Sequence, residues 1–172
     1  GRRHPEPEAV IAAYRRAKRA TAPAEVLSAV ITDYMFTVPT RRLVAAHAEA
    51  GRGETFRGGD TWTYEFAWPS PQFDGKLGAC HALELPFVFD YRGDGLTGPH
   101  GALGPAGTLR DPALGDLFTR VHAAWVRFAT TGDPGWPPCT PGHHVSQRLH
   151  TVREDAAEAP GGPELAVWDG HR

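Results

Sequence analysis

The chain has 172 residues, is 41% hydrophobic and 22% charged, and carries a formal net charge of −2. That length suffices for one ordinary domain with a buried core, and so even a charge balance leaves no electrostatic footprint for nucleic acid or an anionic membrane surface. No apolar run approaches the ~20 residues of a membrane span. Two cysteines, Cys80 and Cys139, cannot build a disulfide framework, and the composition of 20 Gly and 16 Pro announces much irregular chain. The chain opens on Gly1 without an initiator Met, which raises the expectation that it is part of something longer.

The predicted elements begin with helices over about residues 5–50. In the first, Pro5 to Ala20, the residues Val10, Ile11 and Tyr14 mark the apolar face. Glu6 and Glu8 lead, and Arg15, Arg16, Lys18 and Arg19 follow, an order that suits the helix dipole. That basic cluster reads as a solvated helix face, because no second basic patch supports it. A second helix is expected from Pro23 to Phe36. Its residues Val26, Leu27, Val30, Ile31 and Tyr34 recur at the 3.6 period and predict an inward stripe. A third starts near Pro39 and stops at Gly51.

The turn-rich stretch 51–60 follows, and then the period changes. Trp62, Tyr64, Phe66 and Trp68 alternate with Thr61, Thr63, Glu65 and Ala67, which predicts a strand over about 61–68 with one aromatic face. Residues 69–92 show neither period, yet Leu83, Leu85, Phe87, Val88 and Phe89 require that this loop pack down. The Gly-rich stretch 93–109 reads as a flexible surface connection. Asp111 as N-cap, Pro112 at the first turn and Gly132 as terminator bracket a long helix over about 112–131. A short strand near 147–152 interrupts an irregular tail, 132–172, in which Leu165, Val167 and Trp168 can dock on a core. A single confident strand cannot satisfy its own backbone groups, a second sign of an incomplete unit.

The chemistry-bearing residues form no complete catalytic set. The serines are Ser28, Ser70 and Ser146, and none stands in a Gly-x-Ser-x-Gly elbow. No phosphate-binding Gly loop is present. His143, His144 and His150 lack the further ligands a metal needs. Cys80 and His81 are adjacent, a poor geometry for a thiolate–imidazole pair. His81 remains: a loop histidine after a strand, pinned by apolar residues. A general base needs that setting, an imidazole with an ordinary pKa of ~6.5 held in place with one side open.

The run Gly78-Ala79-Cys80-His81-Ala82-Leu83-Glu84-Leu85-Pro86-Phe87-Val88-Phe89 resembles the histidine loop of the type-B carboxylesterases, the cholinesterase-like branch of the α/β-hydrolases that includes the para-nitrobenzyl esterases. The likeness extends to Thr32-Asp33-Tyr34-Met35-Phe36 with Pro39 and Arg42, and to Tyr64-Glu65-Phe66 with Trp68 and Ser70-Pro71. It continues through Trp125-Val126-Arg127-Phe128-Ala129 with Thr131-Gly132-Asp133-Pro134, then Trp136-Pro137, and finally Leu165-Ala166-Val167-Trp168-Asp169. Nearly the whole chain is covered, in family order. Cys80 stands where the family usually has a small residue, which a thiol can replace.

The resemblance implies an α/β fold, here the C-terminal part of one α/β-hydrolase domain, mostly helical with one or two strands in residues 1–172. It implies carboxylic ester hydrolysis with His81 as the triad histidine, Glu84 as structural support of the histidine loop, and Phe87 and Phe89 as core or pocket wall. No cofactor or metal is implied. The nucleophile elbow, the oxyanion loop and the triad acid belong upstream in the family order, so the chain alone is expected to be inactive. Its expected partners are a small-molecule carboxylic ester, the N-terminal portion of the same protein, and a second copy through oligomerisation or strand swapping, with no nucleic acid and no membrane. Two cysteines that build no disulfide framework permit a reducing cytoplasm, the location slightly favoured. The alternative is a non-catalytic binding or adhesion module on the same fold.

Overall fold

The computed structural model describes residues 5–17, 22–50, 59–159 and 161–171. Lys18, Arg19, Ala20 and Gly51, and most of the turn-rich stretch 51–60, lie outside the described residues. The chain forms two compact units. One comprises the described residues of Gly1–Thr61, Cys139–His144 and Ala159–Arg172; the other comprises Trp62–Pro138 and Val145–Glu158.

The first unit is helical. Helix α1 runs Pro7–Arg16, with Glu8 in the first turn and Arg15 and Arg16 in the last. Val10 and Tyr14, one turn apart, are buried, while Ile11 is largely exposed. Helix α2, Pro23–Thr32, starts where the Glu25 carboxylate accepts the Ala22 N–H at 3.1 Å. It does not end at a loop. A π-helical turn, Asp33–Thr37, carries it directly into α3, Val38–Ala50, and the Val38 N–H bonds to the carbonyl of Asp33. The sequence predicts a break here; the structure widens the helix instead. Pro39 has no N–H to donate and its ring crowds the carbonyl four residues back, and one widened turn absorbs both effects.

A 3₁₀ segment, Pro163–Trp168, returns to these helices. Trp168 is buried with Val10, Tyr14, Val26 and Val38. Its indole Nε1–H donates to the Tyr14 hydroxyl at 2.9 Å, and that hydroxyl donates to the Asp33 carboxylate at 2.9 Å. The Arg42 guanidinium donates to the carbonyls of Trp168 and His171, each at 2.6 Å. The apolar stripe of α2 is only partly covered. Val26 is buried, but Leu27, Ile31 and Tyr34 are exposed.

The second unit holds the sheet. Strand β1, Tyr64–Phe66, lies parallel to β2, Val145–Leu149, in the register Tyr64 to Gln147 and Phe66 to Leu149. Strand β3, Ala157–Glu158, pairs antiparallel with β2. The ladder is shorter than the predicted 61–68, although Gln147 N–H to Thr63 and Ala67 N–H to Leu149 extend the pairing at 3.0 and 2.9 Å. The predicted second strand begins two residues earlier, at Val145. Among the described residues β1 is an edge, because the strand order is β1-β2-β3.

A short helix α4, Leu85–Val88, lies within the histidine loop, and helix α5 runs Pro112–Thr131. The Asp111 carboxylate caps α5 by accepting the Ala113 N–H at 2.9 Å, and Gly132 ends it with φ 77°. Helix α5 buries Leu114, Leu117, Phe118 and Val121. The aromatic face of the β1 segment is covered within this unit: Trp62 meets Phe128 at 5.7 Å, Tyr64 meets Trp125 at 6.1 Å and Phe66 meets Phe87 at 4.9 Å between ring centroids. The Gly-rich stretch is not a loose connection. Leu103 is fully buried, and the Gln72 amide donates to the carbonyls of Gly98 and Gly101, both at 2.9 Å. No helix among the described residues is long and apolar enough to cross a membrane.

Candidate active site

The candidate site is the loop between β1 and α4, whose shape is set residue by residue. Ser70 is fully buried; its hydroxyl donates to the Ala102 carbonyl at 2.5 Å, and its N–H bonds to Gly78 at 3.0 Å. This closes residues 71–77 into a turn whose exit is Cys80, half-buried against the core. His81 follows, exposed.

The residue after it is strained. Ala82 has φ 63° without being glycine, a left-handed conformation that costs about 1–2 kcal/mol for an L-residue. Such strain persists only where the surroundings impose it, and it concentrates at functional sites. The surroundings here are explicit. Leu83 is buried, its N–H bonds to Cys80 at 3.2 Å, and the Leu85 N–H bonds to Ala82 at 3.3 Å. Glu84 stands at the N-cap of α4, where its carbonyl receives the N–H groups of Phe87 and Val88 at 2.9 and 3.0 Å.

The Glu84 side chain makes no capping bond. Its carboxylate faces the Tyr64 phenol electrostatically. Burial first, and the Glu84 charge second, push the Tyr64 hydroxyl above its ordinary pKa, while a hydrogen bond from Trp125 pulls the other way.

Phe87 is the anchor. It is 0% exposed, stacks on Phe118 with centroids 4.0 Å apart, and touches Phe66 and Trp68 at 4.9 and 5.7 Å. The Arg92 guanidinium lies 4.7 Å over the other partner ring, Phe118. Phe89, two residues on, is 72% exposed. The loop thus presents His81 outward beside two buried anchors, Leu83 and Phe87, while Leu85 and Phe89, expected from the sequence to pack down, stay exposed.

The serines are placed apart from this arrangement in role. Ser28 lies within α2, the Ser70 hydroxyl is committed to Ala102, and Ser146 is buried on β2. No group of three or more His, Cys, Asp or Glu side chains able to hold a metal occurs among the described residues.

One residue near the loop escapes sequence reasoning: His122, on α5, whose ring Nδ1 lies 2.9 Å from the Val88 carbonyl. The available signal is its spacing, four residues after Phe118 and therefore next to it on the same face of α5.

A parallel strand pair, a histidine loop at the strand exit and a long covering helix define an α/β-hydrolase segment. The profile of the carboxylesterase family matches residues 8–158, and the chain belongs to that family. It is 42% identical over 72 residues to phenmedipham hydrolase of Pseudarthrobacter oxydans, covering 41% of this chain and 13% of that protein. It is 28% identical over 136 residues to para-nitrobenzyl esterase of Bacillus subtilis, covering 78% of this chain and 24% of that protein. The crystal structure of the Geobacillus stearothermophilus carboxylesterase EST55 superposes with a TM-score of 0.70 at 26% identity, over 96% of this chain and 32% of that one. This chain therefore spans a third or less of each of these proteins.

Proposed function

We propose that the chain is the C-terminal portion of a serine carboxylesterase and supplies its triad histidine, His81, while the nucleophilic serine, the oxyanion donors and the acid come from polypeptide ahead of it. The observation that carries this reading is the histidine loop: an outward imidazole followed by a strained Ala82 and anchored by the buried Leu83 and Phe87. In the assembled enzyme the serine hydroxyl attacks the ester carbonyl and His81 takes its proton. Backbone N–H groups hold the oxyanion, and His81 returns the proton to the leaving alkoxide. A water then repeats the sequence to release the acid. Glu84 supports the loop and is not the triad acid. Phe87 is a core residue, and the exposed Phe89 is the one open to line a pocket.

Two features support a missing complement. One edge of β1 has no ladder partner among the described residues. In the other unit, an apolar groove of about 420 Å³ opens beside α1 and α2, walled by Val10, Ile11, Leu27, Ile31, Tyr34 and Trp168. Exposed apolar surface of that kind marks an interface. The N-terminal portion of the same protein covers it in this reading, and a second copy substitutes when that portion is lacking.

The test is esterase turnover by the complete polypeptide. His81→Ala should lower kcat by at least about 10⁴-fold, as removal of a triad member does, and Glu84→Gln should stay within about tenfold of the parent. Full activity in the His81→Ala enzyme overturns the assignment. If the polypeptide ahead of Gly1 lacks a Gly-x-Ser-x-Gly elbow, the binding-module reading takes its place.

A further inference from the structure

We infer that His122 is a positioning residue for the histidine loop, an inference that rests on the reading of His81 as the proton carrier. Its Nδ1 faces the Val88 carbonyl at 2.9 Å. A carbonyl oxygen only accepts, so Nδ1 must carry the hydrogen. This fixes the neutral ring as the Nδ1–H tautomer.

The contact is well placed to act on His81. Val88 ends α4, the helix that begins four residues after His81. The carbonyls of Leu85, Pro86 and Phe87 receive the N–H groups of Phe89, Tyr91 and Asp90 at 3.1, 2.8 and 3.3 Å, bonds within the segment itself, whereas the His122 contact ties the Val88 carbonyl to α5. The apolar side of α4 is held by Phe87 stacked on Phe118 at 4.0 Å. Phe87 also meets Phe66 and Trp68 at 4.9 and 5.7 Å, and such apolar packing is non-directional. The His122 bond, one turn further along α5 than Phe118, supplies a directional second point. Two points on α4 and the buried Leu83 ahead of it then fix the frame from which His81 projects. General-base geometry tolerates little error, with proton transfer confined to about 2.6–3.2 Å between heavy atoms.

Residue variants separate the hydrogen bond from the ring. His122→Asn places an amide N–H near the Nδ1 position, whereas His122→Phe keeps the ring volume and removes the donor. Both are made in the 172-residue chain and compared by amide hydrogen exchange of Phe87, Val88, Phe89 and Tyr91, with the ring nitrogen shifts of His122 and the His81 ring proton shifts recorded alongside. The expected result is exchange about fivefold to tenfold faster in the Phe variant, the effect of one lost hydrogen bond. The Asn variant stays within twofold of the parent, the His81 ring signals move in the Phe variant only, and the parent shows Nδ1–H. Exchange unchanged in the Phe variant, an Asn variant as fast as Phe, or an Nε2–H tautomer overturns the inference. None of these readouts involves substrate, so they succeed or fail independently of whether His81 carries a proton, which turnover decides.

Discussion

Removing the Phe87 ring tests how the histidine loop is held. Phe87 is 0% exposed and meets three aromatic rings, the nearest stacked at 4.0 Å. Truncating a buried Phe to Ala costs about 3–5 kcal/mol through lost transfer energy and the cavity left behind. With rings on several sides the site has little scope to collapse, so Phe87→Ala should cost about 4 kcal/mol, a large part of the ~5–15 kcal/mol that stabilises a domain. For a chain of this size that lowers Tm by roughly 8–16 °C. Phe89→Ala is the matched control, because a side chain 72% exposed should change stability by no more than about 0.5 kcal/mol. Urea unfolding followed by tryptophan fluorescence measures both. If the two variants fall within 1 kcal/mol of each other, as an order-of-magnitude criterion set by these costs, Phe87 does not anchor the loop and the account of His81's placement fails.

Ala82→Gly should leave stability unchanged or raise it by up to about 1 kcal/mol, since relief of the left-handed strain offsets the added freedom of the unfolded chain; Ala82→Val should lower it, and urea midpoints report both. Tyr14→Phe removes a hydroxyl that accepts from Trp168 and donates to Asp33, so it should cost about 1.5–3 kcal/mol, again read from urea midpoints; no loss would show that the buried network does not secure the tail. The Asp116 carboxyl is held below its ordinary range by hydrogen bonds from Arg120 and Arg153. Its folded pKa being lowered, its contribution is complete above the unfolded value of ~3.9 and fades as pH falls through the folded value. The difference in urea midpoint between the parent and Asp116→Asn should therefore shrink below about pH 4, and a difference constant down to pH 2 would contradict the pairing. Light scattering of the isolated chain should show self-association through the exposed α2 stripe and the β1 edge, and a monomer at high concentration would count against it.

Much of the fold was legible where the signal is local. Asp111, Pro112 and Gly132 fix both ends of α5 because each acts on its own backbone. The β1 segment shows itself by alternation, and its aromatic face finds cover on α5 and α4. The π turn did not show, because it arises from a conflict: a continuous apolar period through Tyr34 and a proline at residue 39 that denies one hydrogen bond. Composition misled at 93–109, where glycine suggested freedom while the Gln72 amide and the Ser70 hydroxyl, distant in sequence, hold the backbone. The α2 stripe shows a different limit. Periodicity identifies an apolar face and says nothing of what covers it, and in this chain Leu27 and Ile31 stay exposed. For the site, the loop setting of His81 and the run of residues 78–89 set it apart from the other histidines as the candidate, and the order of the surrounding motifs supports that choice. His122 stayed hidden because its contact is with a carbonyl 34 residues away.

The central claim is that this chain contributes the histidine of a triad whose other members lie outside it. Hydrolysis of 4-nitrophenyl acetate tests it most directly, measured for the isolated chain, for its His81→Ala variant, and for each joined to the polypeptide encoded ahead of Gly1. The account predicts the same background rate for both isolated chains, and turnover in the joined protein that His81→Ala abolishes. Turnover by the isolated chain that disappears with His81→Ala would contradict it.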